Sequence, residues 1–182
     1  MPEFLELLPP GTALSHLISQ LAHRTEAEEI ATEQALGRVT ATEMLAPHPL
    51  PSFPRTTVDG YAVRAADTFG ASDSLPAYLN LIGEVPMGAE AGFILGPGQC
   101  AMIHTGGMLP GGADAVVMIE HTQAAAAGEV EILRAAAIGE NVLKVGEDVA
   151  QGEEVIPAGT RLRPAEIGGL MALGIVSVRV AR

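Results

Sequence analysis

Two short loops hold the residues best suited to chemistry, and the first of them is "TTVDGYAV", in which Asp59 precedes Gly60 and Tyr61. An aspartate before glycine commonly closes a turn by accepting hydrogen bonds from nearby backbone N–H groups. The same carboxylate is also a hard oxygen ligand of the kind that Mg²⁺ prefers. From the local sequence, a turn residue and a binding residue at the edge of a pocket are equally supported.

The second loop is "IHTGGMLPGGAD", where Thr105 is followed by Gly106 and Gly107. These residues can present a hydroxyl and unhindered backbone N–H groups to an oxyanion. A glycine-rich hairpin bend is the other interpretation, and the local sequence favours it. No lysine follows the glycines as in a nucleotide-triphosphate loop, and the five histidines have no metal-ligand spacing.

The composition restricts the classes of partner. The chain has 182 residues with 10 basic and 22 acidic side chains, a formal charge of −12, and Lys144 is its only lysine. Such a surface repels polyanions, so nucleic acid is not expected as a partner. No apolar run reaches the roughly 18–20 residues of a membrane span, and the acidic "MPEFLELLPPG" does not resemble a signal peptide. A single cysteine, Cys100, is expected in the core of a cytoplasmic protein.

Helical periodicity is clearest near the N-terminus, in "GTALSHLISQLAHR". We expect Thr12 to cap this helix and one apolar face to be formed by Leu14, Leu17, Ile18 and Leu21. A second helix is predicted in "TEQALGRVTATEML", although Gly37 interrupts it. Near the C-terminus, Pro164 suits the first turn of a short helix whose buried side would contain Ile167, Leu170 and Met171.

The middle of the chain is predicted to be rich in β-strands. Prolines 47, 49, 51 and 54 predict a stiff connection and a domain boundary. After it, short apolar runs are separated by Gly and Pro, as is typical of strands and turns; they are "AYLNLIGEV", "CAMIHT", "ADAVVMIEHT" and "GEVEILRA". A last strand is indicated by the alternation of Val176, Val178 and Val180 with more polar residues.

These patterns predict an α+β, β-rich fold with a discontinuous first domain and a β-rich domain inserted into it. We place the first domain at residues 1–49 plus 144–182 and the inserted domain at 50–143. The last strand runs directly into the C-terminus, which suggests a longer natural chain.

Four motifs in order resemble the N-terminal region of the MoeA-type molybdopterin molybdotransferases, to which the E domain of gephyrin is similar. They are "FPRTTVDGYAVRAAD", "IHTGGMLPGGADAVVMIEHT", "GEDV" and "EVIPAGTRLRPAEIGGLMALGI". The resemblance covers nearly the whole chain. It departs from the family at Val58, where methionine is usual, and before "GEDV", where Lys144 replaces several arginines.

The resemblance implies an enzyme that inserts molybdenum from molybdate into molybdopterin, using adenylylated molybdopterin and a divalent cation such as Mg²⁺. The family's fold has four domains and forms a homodimer, and this chain matches the first two. The first of them contributes to the dimer, and the second faces the partner subunit's third domain, which holds the pterin and resembles the MogA-type adenylyltransferases.

The resemblance also assigns site residues. Asp59 and Thr105 correspond to functional positions that line the cleft, and Asp59 is the candidate metal ligand. The neighbouring motif residues are the cofactor-binding candidates: Thr57, Gly60, Tyr61, Gly106 and Gly107. We expect this chain alone to be inactive because the third domain is absent from it.

Two other functions stay open. A naturally short, non-enzymatic scaffold could pair with a separate pterin-binding protein. A MogA-like adenylyltransferase is a further candidate partner. A generic β-rich metabolite-binding domain would require the match of four motifs to be coincidental.

Overall fold

The computed structural model describes residues 7–21, 25–126 and 128–182. The helices of this part are α1 (Pro10–Gln20) and α2 (Pro164–Ala172). The strands, in chain order, are β1 (Ala27–Ala31), β2 (Met44–Leu45), β3 (Arg55–Thr56), β4 (Gly60–Val63), β5 (Ala77–Glu84), β6 (Gln99–Ile103), β7 (Ala115–Met118), β8 (Thr122–Ala124), β9 (Glu129–Ile132), β10 (Val142–Leu143), β11 (Glu154–Ile156) and β12 (Ser177–Ala181).

The chain divides into two units. The first unit combines the chain up to Glu43 with Ile156–Arg182, and the second is Met44–Val155. The sequence-based bounds assigned residues 44–49 and 144–155 to the first unit instead. They belong to the second because β2 pairs with β11 and because the backbone N–H of Leu50 donates to the Val149 carbonyl.

The first unit contains α1, which begins at Pro10 and therefore earlier than predicted. Pro9 occupies the N-cap position, so the prediction that Thr12 caps the helix is wrong. Proline suits the first helical position, which Pro10 occupies, because its φ is already helical and its missing N–H would have no partner in the first turn. No residue of α1 is buried, and Leu14, Leu17 and Ile18 are all more than half exposed. The end of the predicted segment, residues 22–24 including His23, lies outside the described residues.

The prediction of a second helix in "TEQALGRVTATEML" is wrong. Its sequence forms only a 3₁₀ turn at Thr32–Gln34 and the two-residue strand β2. Gly37 has a φ of +78°, which ends the turn, and its N–H donates to the carbonyl of Leu162 rather than within a helix. Long-range bonds of this kind override local helical propensity.

A two-stranded antiparallel sheet of β1 and β12 forms the centre of the first unit. The predicted last strand is present, and its buried side chains are Val178 and Val180. Val176 precedes the strand and is exposed, so its predicted burial is wrong.

The predicted C-terminal helix is present as α2. Its N-terminus is capped by Glu166, whose carboxylate accepts hydrogen bonds from the backbone and side chain of Arg163. Leu170 is buried and Ile167 half-buried, as predicted, whereas Met171 lies on the exposed side. Neither helix of the described residues has the length and apolar character needed to span a membrane.

The second unit contains a six-stranded sheet with the order β7-β4-β6-β5-β9-β8. Neighbouring strands are antiparallel except β5 and β6, which are parallel. All four apolar runs predicted as strands contribute to this sheet, and the chain has the predicted β-rich α+β fold. The strand β4 has neighbours on both sides, and Asp59 immediately precedes it.

The two faces of this sheet pack into separate apolar clusters. Val63 belongs to one cluster and Ala62, its neighbour in β4, to the other, as strand alternation requires. Cys100 is fully buried in the same cluster as Val63, and burial raises the pKa of its thiol to about 12. Its predicted place in the core is therefore confirmed, and at neutral pH the thiol is protonated and unreactive.

Candidate functional site

The structure joins the two predicted loops through Asp59 and Thr105. Oδ1 of Asp59 accepts a hydrogen bond of 2.8 Å from the Thr105 backbone N–H and one of 3.2 Å from its hydroxyl. The two residues are 46 positions apart. The carboxylate therefore makes a long-range connection between loops, and not the local turn bonds that its sequence context first suggested.

Asp59 owes its position to the start of β4. Its backbone carbonyl accepts a hydrogen bond from the N–H of Ile119, which follows the neighbouring strand β7. Gly60 then enters the sheet where a Cβ would lie 2.0 Å from the carbonyl oxygen of Val117. Only glycine can occupy this place, so the "DG" pair is needed to bring the chain so close to β7.

Thr105 is positioned by a tight turn that follows β6. The N–H of Gly107 donates to the carbonyl of His104, and the N–H of Gly106 donates to the carbonyl of Thr56. Gly106 has a φ of +83°, and a Cβ on Gly107 would approach the His104 carbonyl oxygen to 2.8 Å. The glycines are therefore required by the backbone of the turn.

This turn does not provide the oxyanion cradle that the sequence suggested. The N–H groups of Thr105, Gly106 and Gly107 already donate to Asp59, Thr56 and His104 respectively. The hairpin-bend interpretation of the glycines fits this geometry. What the turn presents is the Thr105 hydroxyl beside an exposed carboxylate.

The two other predicted binding residues, Thr57 and Tyr61, make different contacts. Thr57 is exposed, and its N–H donates to the Asn141 carbonyl at 3.0 Å. Tyr61 packs against the apolar cluster that contains Val63, on the opposite face of β4 from Gly60. The structure thus brings Asp59, Thr105 and the three glycines together, while Tyr61 supports the core.

Two further residues of the site had not been predicted from the sequence. His104 lies with Nδ1 3.7 Å from Asp59 Oδ1, and its Nε2 is 2.9 Å from Oε1 of Glu84. The sequence signal for His104 was its place immediately before Thr105, whereas Glu84, 20 residues earlier, gave none.

The electrostatics favour an ionised Asp59. Its pKa is lowered, first by the hydrogen bond from the Thr105 backbone, next by the Thr105 hydroxyl, and further by the charge of His104 when protonated. Hydrogen bonds to a carboxylate stabilise its charged form. Asp59 is 59% exposed, so a ligand can reach it directly.

The fit of this site to a divalent cation is partial. Asp59 Oδ1 carries both bonds from Thr105, and among the described residues none donates to Oδ2, which could serve as one hard oxygen ligand. In the part of the chain that the structure describes, no three His, Cys, Asp or Glu side chains are grouped as a metal site. A cation here would need most of its ligands from substrate and water.

A pocket of about 180 Å³ adjoins the turn. Gly106 forms part of its wall, together with Phe53, Met108 and the segment Gly88–Glu90. The pocket is mainly apolar with one carboxylate, that of Glu90.

Comparisons with known proteins agree on one family. The sequence profile of the "MoeA N-terminal region (domain I and II)" matches residues 8–174. A "Molybdopterin molybdenumtransferase" of Bacillus subtilis is 40% identical over 160 residues, which are 86% of this chain and 37% of the relative. A "Putative molybdopterin biosynthesis protein" of Methanocaldococcus jannaschii is 37% identical over 164 residues, which are 90% of this chain and 39% of the relative.

Solved structures give the same result. A crystal structure of the molybdopterin biosynthesis MoeA protein of Pyrococcus horikoshii has a TM-score of 0.89 and 38% identity, covering 97% of this chain and 46% of that protein. Another crystal structure of a molybdopterin biosynthesis MoeA protein from the same organism has a TM-score of 0.87 and 41% identity, covering 97% of this chain and 45% of that one. The chain spans less than half the length of each of these relatives. It belongs to the MoeA N-terminal region family, comprising domains I and II.

Proposed function

We propose that this chain is the N-terminal part of a molybdopterin molybdenumtransferase, which transfers molybdenum from molybdate to molybdopterin in molybdenum cofactor biosynthesis. The observation that carries the proposal is the Asp59–Thr105 contact, which is made between the two motif loops of a MoeA-type fold. Relatives of this chain bear the name of that activity.

In this proposal, Asp59 and Thr105 form one wall of the active site. Thr105 orients the carboxylate and lowers its pKa through bonds to Oδ1, which leaves Oδ2 without a hydrogen-bond donor among the described residues. That oxygen binds a cation or a hydrogen-bond donor of the substrate. When bound, Mg²⁺ supplies positive charge that offsets the charges of molybdate and of the adenylylated molybdopterin.

The groups that anchor these anionic substrates must come mainly from outside this chain. Its formal charge is −12, and the Asp59 site contains Glu84 as well as Asp59, with His104 as the nearby cationic candidate. We propose that a pterin-binding third domain, from the same protein or from the partner subunit of a homodimer, completes the cleft. A MogA-like adenylyltransferase would supply the activated pterin.

Self-association of the chain is proposed through α1. Its apolar side chains Leu14, Leu17 and Ile18 are more than half exposed, and the helix has no buried residue. A second copy would cover the apolar surface that the folded chain leaves in water.

Complementation of a host that lacks its own molybdenumtransferase tests the function. The complete gene product should restore a molybdenum-dependent activity, and Asp59→Ala should lower it about 100-fold, the usual effect of losing one charged group at an active site. Asp73→Ala is the matched control, because Asp73 is an exposed aspartate of a distant turn. Full activity of Asp59→Ala would remove the proposed role of this carboxylate.

A further inference from the structure

Glu84 and His104 form a polar pair beside the Asp59–Thr105 contact. Glu84 is the last residue of β5, and His104 directly follows the parallel strand β6. The Nε2 of His104 lies 2.9 Å from Oε1 of Glu84. A carboxylate accepts hydrogen bonds without donating, so in this pair Nε2–H donates to Oε1.

This hydrogen bond fixes the orientation of the imidazole ring. With Nε2 directed to Glu84, the other ring nitrogen faces Asp59, where Nδ1 and Oδ1 are 3.7 Å apart. When one ring nitrogen of a histidine donates to a carboxylate, the tautomer and the ring plane are both defined. The ring therefore lies between two carboxylates, Glu84 and Asp59.

His104 also begins the turn that presents Thr105. Its carbonyl accepts the N–H of Gly107, so its backbone closes the turn while its side chain is tied to β5. The two glycines of the turn provide no side-chain anchor of their own. The pairing of β5 with β6 shifts register between Leu81 and Glu84 and resumes with Glu84 opposite Met102, where the Val85 N–H donates to the Met102 carbonyl. The backbone of Glu84 is therefore fixed against β6, close to the point where His104 follows that strand.

We propose that Glu84 and His104 are positioning residues for the candidate site. The Glu84–His104 hydrogen bond anchors the turn of residues 104–107 to the end of β5, and this anchor keeps the Thr105 N–H and hydroxyl on Asp59. Both side chains are substantially exposed, and an exposed ion pair contributes little to the global stability of a protein. The effect of the pair is therefore local and appears at Thr105.

Amide hydrogen exchange measured by NMR tests the anchor without reference to activity. In Glu84→Ala and in His104→Ala, exchange of the Thr105 amide should become about threefold to tenfold faster, the range expected for losing one hydrogen bond. In Glu84→Gln the amide oxygen still accepts from Nε2–H, so exchange should stay within about twofold of the wild type. Glu129→Ala removes a carboxylate from β9 of the same sheet and should leave Thr105 unchanged.

The Ile119 amide, which donates to the Asp59 carbonyl, is an internal reference and should exchange at the wild-type rate in every variant. An unchanged Thr105 amide in both alanine variants would overturn the proposal. So would equal acceleration at Thr105 and Ile119, because that result would indicate general loosening.

A second readout, which rests on the proposed function, is the rate of molybdenum insertion by the complete gene product. Glu84→Ala should lower kcat about threefold to tenfold with little change in KM, and Glu84→Gln should restore it. A change in KM alone would contradict a role through Asp59 and Thr105. If the wild type inserts no molybdenum, the proposed function fails, while the exchange experiment still decides whether the pair positions the turn.

Discussion

Asp59 has the structural role that its sequence left open, and we propose that it has the binding role as well. It accepts backbone and hydroxyl hydrogen bonds, as a structural aspartate does, but from Thr105, 46 residues away. Both bonds are made to Oδ1, and the side chain as a whole is largely exposed. The structural role therefore supports the proposed binding role, because Thr105 both orients the carboxylate and favours its charged form.

The pKa of Asp59 gives the first residue-scale prediction. Thr105→Val removes the hydroxyl and keeps the backbone N–H, so the Asp59 pKa should rise part of the way towards its ordinary value. The backbone bond, which is the larger cause of the lowered pKa, should keep it below that value. Carboxyl carbon chemical shifts measured against pH would show this, with Thr105→Ser as the variant that retains the hydroxyl.

The sign of the accompanying stability change follows by linkage. Folding lowers the pKa of Asp59. Its contribution to the free energy of unfolding is therefore present above the pKa of an unfolded aspartate, and it is lost as pH falls through the pKa of the folded state. The stability difference between wild type and Thr105→Val should therefore narrow on acidification. A difference that widens at low pH would contradict the assignment.

Gly60 gives a second prediction at the residue scale. Gly60→Ala should destabilise the protein by about 2–3 kcal/mol, because the new Cβ would overlap the Val117 carbonyl and force β4 away from β7. Gly168→Ala is the opposite control: it lies in α2 with nothing within 4 Å of a Cβ, and should stabilise by about 0.5–1 kcal/mol. Denaturant unfolding measures both, and a neutral Gly60→Ala would show that the approach to β7 is not required.

At the scale of elements, α2 depends on its N-terminal cap. Hydrogen bonds from the Arg163 side chain are the main cause that lowers the pKa of Glu166 to about 2. The contribution of the ionised Glu166 to the stability of the fold is complete above pH ~4.5 and is lost as pH falls towards 2. Glu166→Gln keeps the size of the side chain and removes the charge, so its Tm deficit should be constant near neutral pH and vanish towards pH 2. A deficit independent of pH would show that the charge does not act.

The success of the sequence-based predictions also differs between elements. Strands such as β6 and β7 were predicted because buried strands are short apolar runs between turn residues. The segment after Thr32 has good local helical propensity, but Gly37 and its bond to Leu162 direct it elsewhere, and no local pattern shows such a bond. The periodicity of α1 predicted a helix correctly, and the apolar side chains Leu14, Leu17 and Ile18 that it grouped on one face are exposed in the folded chain.

The candidate site shows the same limit. Asp59 and Thr105 were found because each lies in a motif of a known family, and the glycines beside them mark turns. The participation of Glu84 could not be predicted, because it depends on the ends of β5 and β6 lying side by side. The loss of the suggested N–H cradle depends in the same way on which acceptors fold against the turn: the Asp59 carboxylate and the carbonyls of Thr56 and His104.

At the scale of the whole molecule, the exposed side of α1 bears on assembly. Leu14→Glu combined with Ile18→Glu should weaken self-association at least about tenfold, since each change places a charge in apolar surface that a second copy would bury. Ser15→Glu adds charge to the same helix and is the control. Sedimentation equilibrium gives the dissociation constants, and a wild type that stays monomeric at high concentration would exclude the homodimer.

The distribution of charge leads to the central claim. We propose that a chain with a formal charge of −12 contributes an acidic wall, and that groups outside it hold the anionic substrates. In this proposal its own part in the reaction is concentrated in the Asp59 carboxylate, which Thr105 orients.

The most direct measurement is the rate at which the purified complete gene product transfers molybdenum from molybdate to adenylylated molybdopterin with Mg²⁺ present. Asp59→Asn keeps the side-chain shape and an oxygen for the Thr105 bonds, and replaces the charged Oδ2 by a neutral NH2 group. The account predicts a kcat lowered about 100-fold, with the fold unchanged by circular dichroism. An Asp59→Asn protein that transfers molybdenum at the wild-type rate would contradict it.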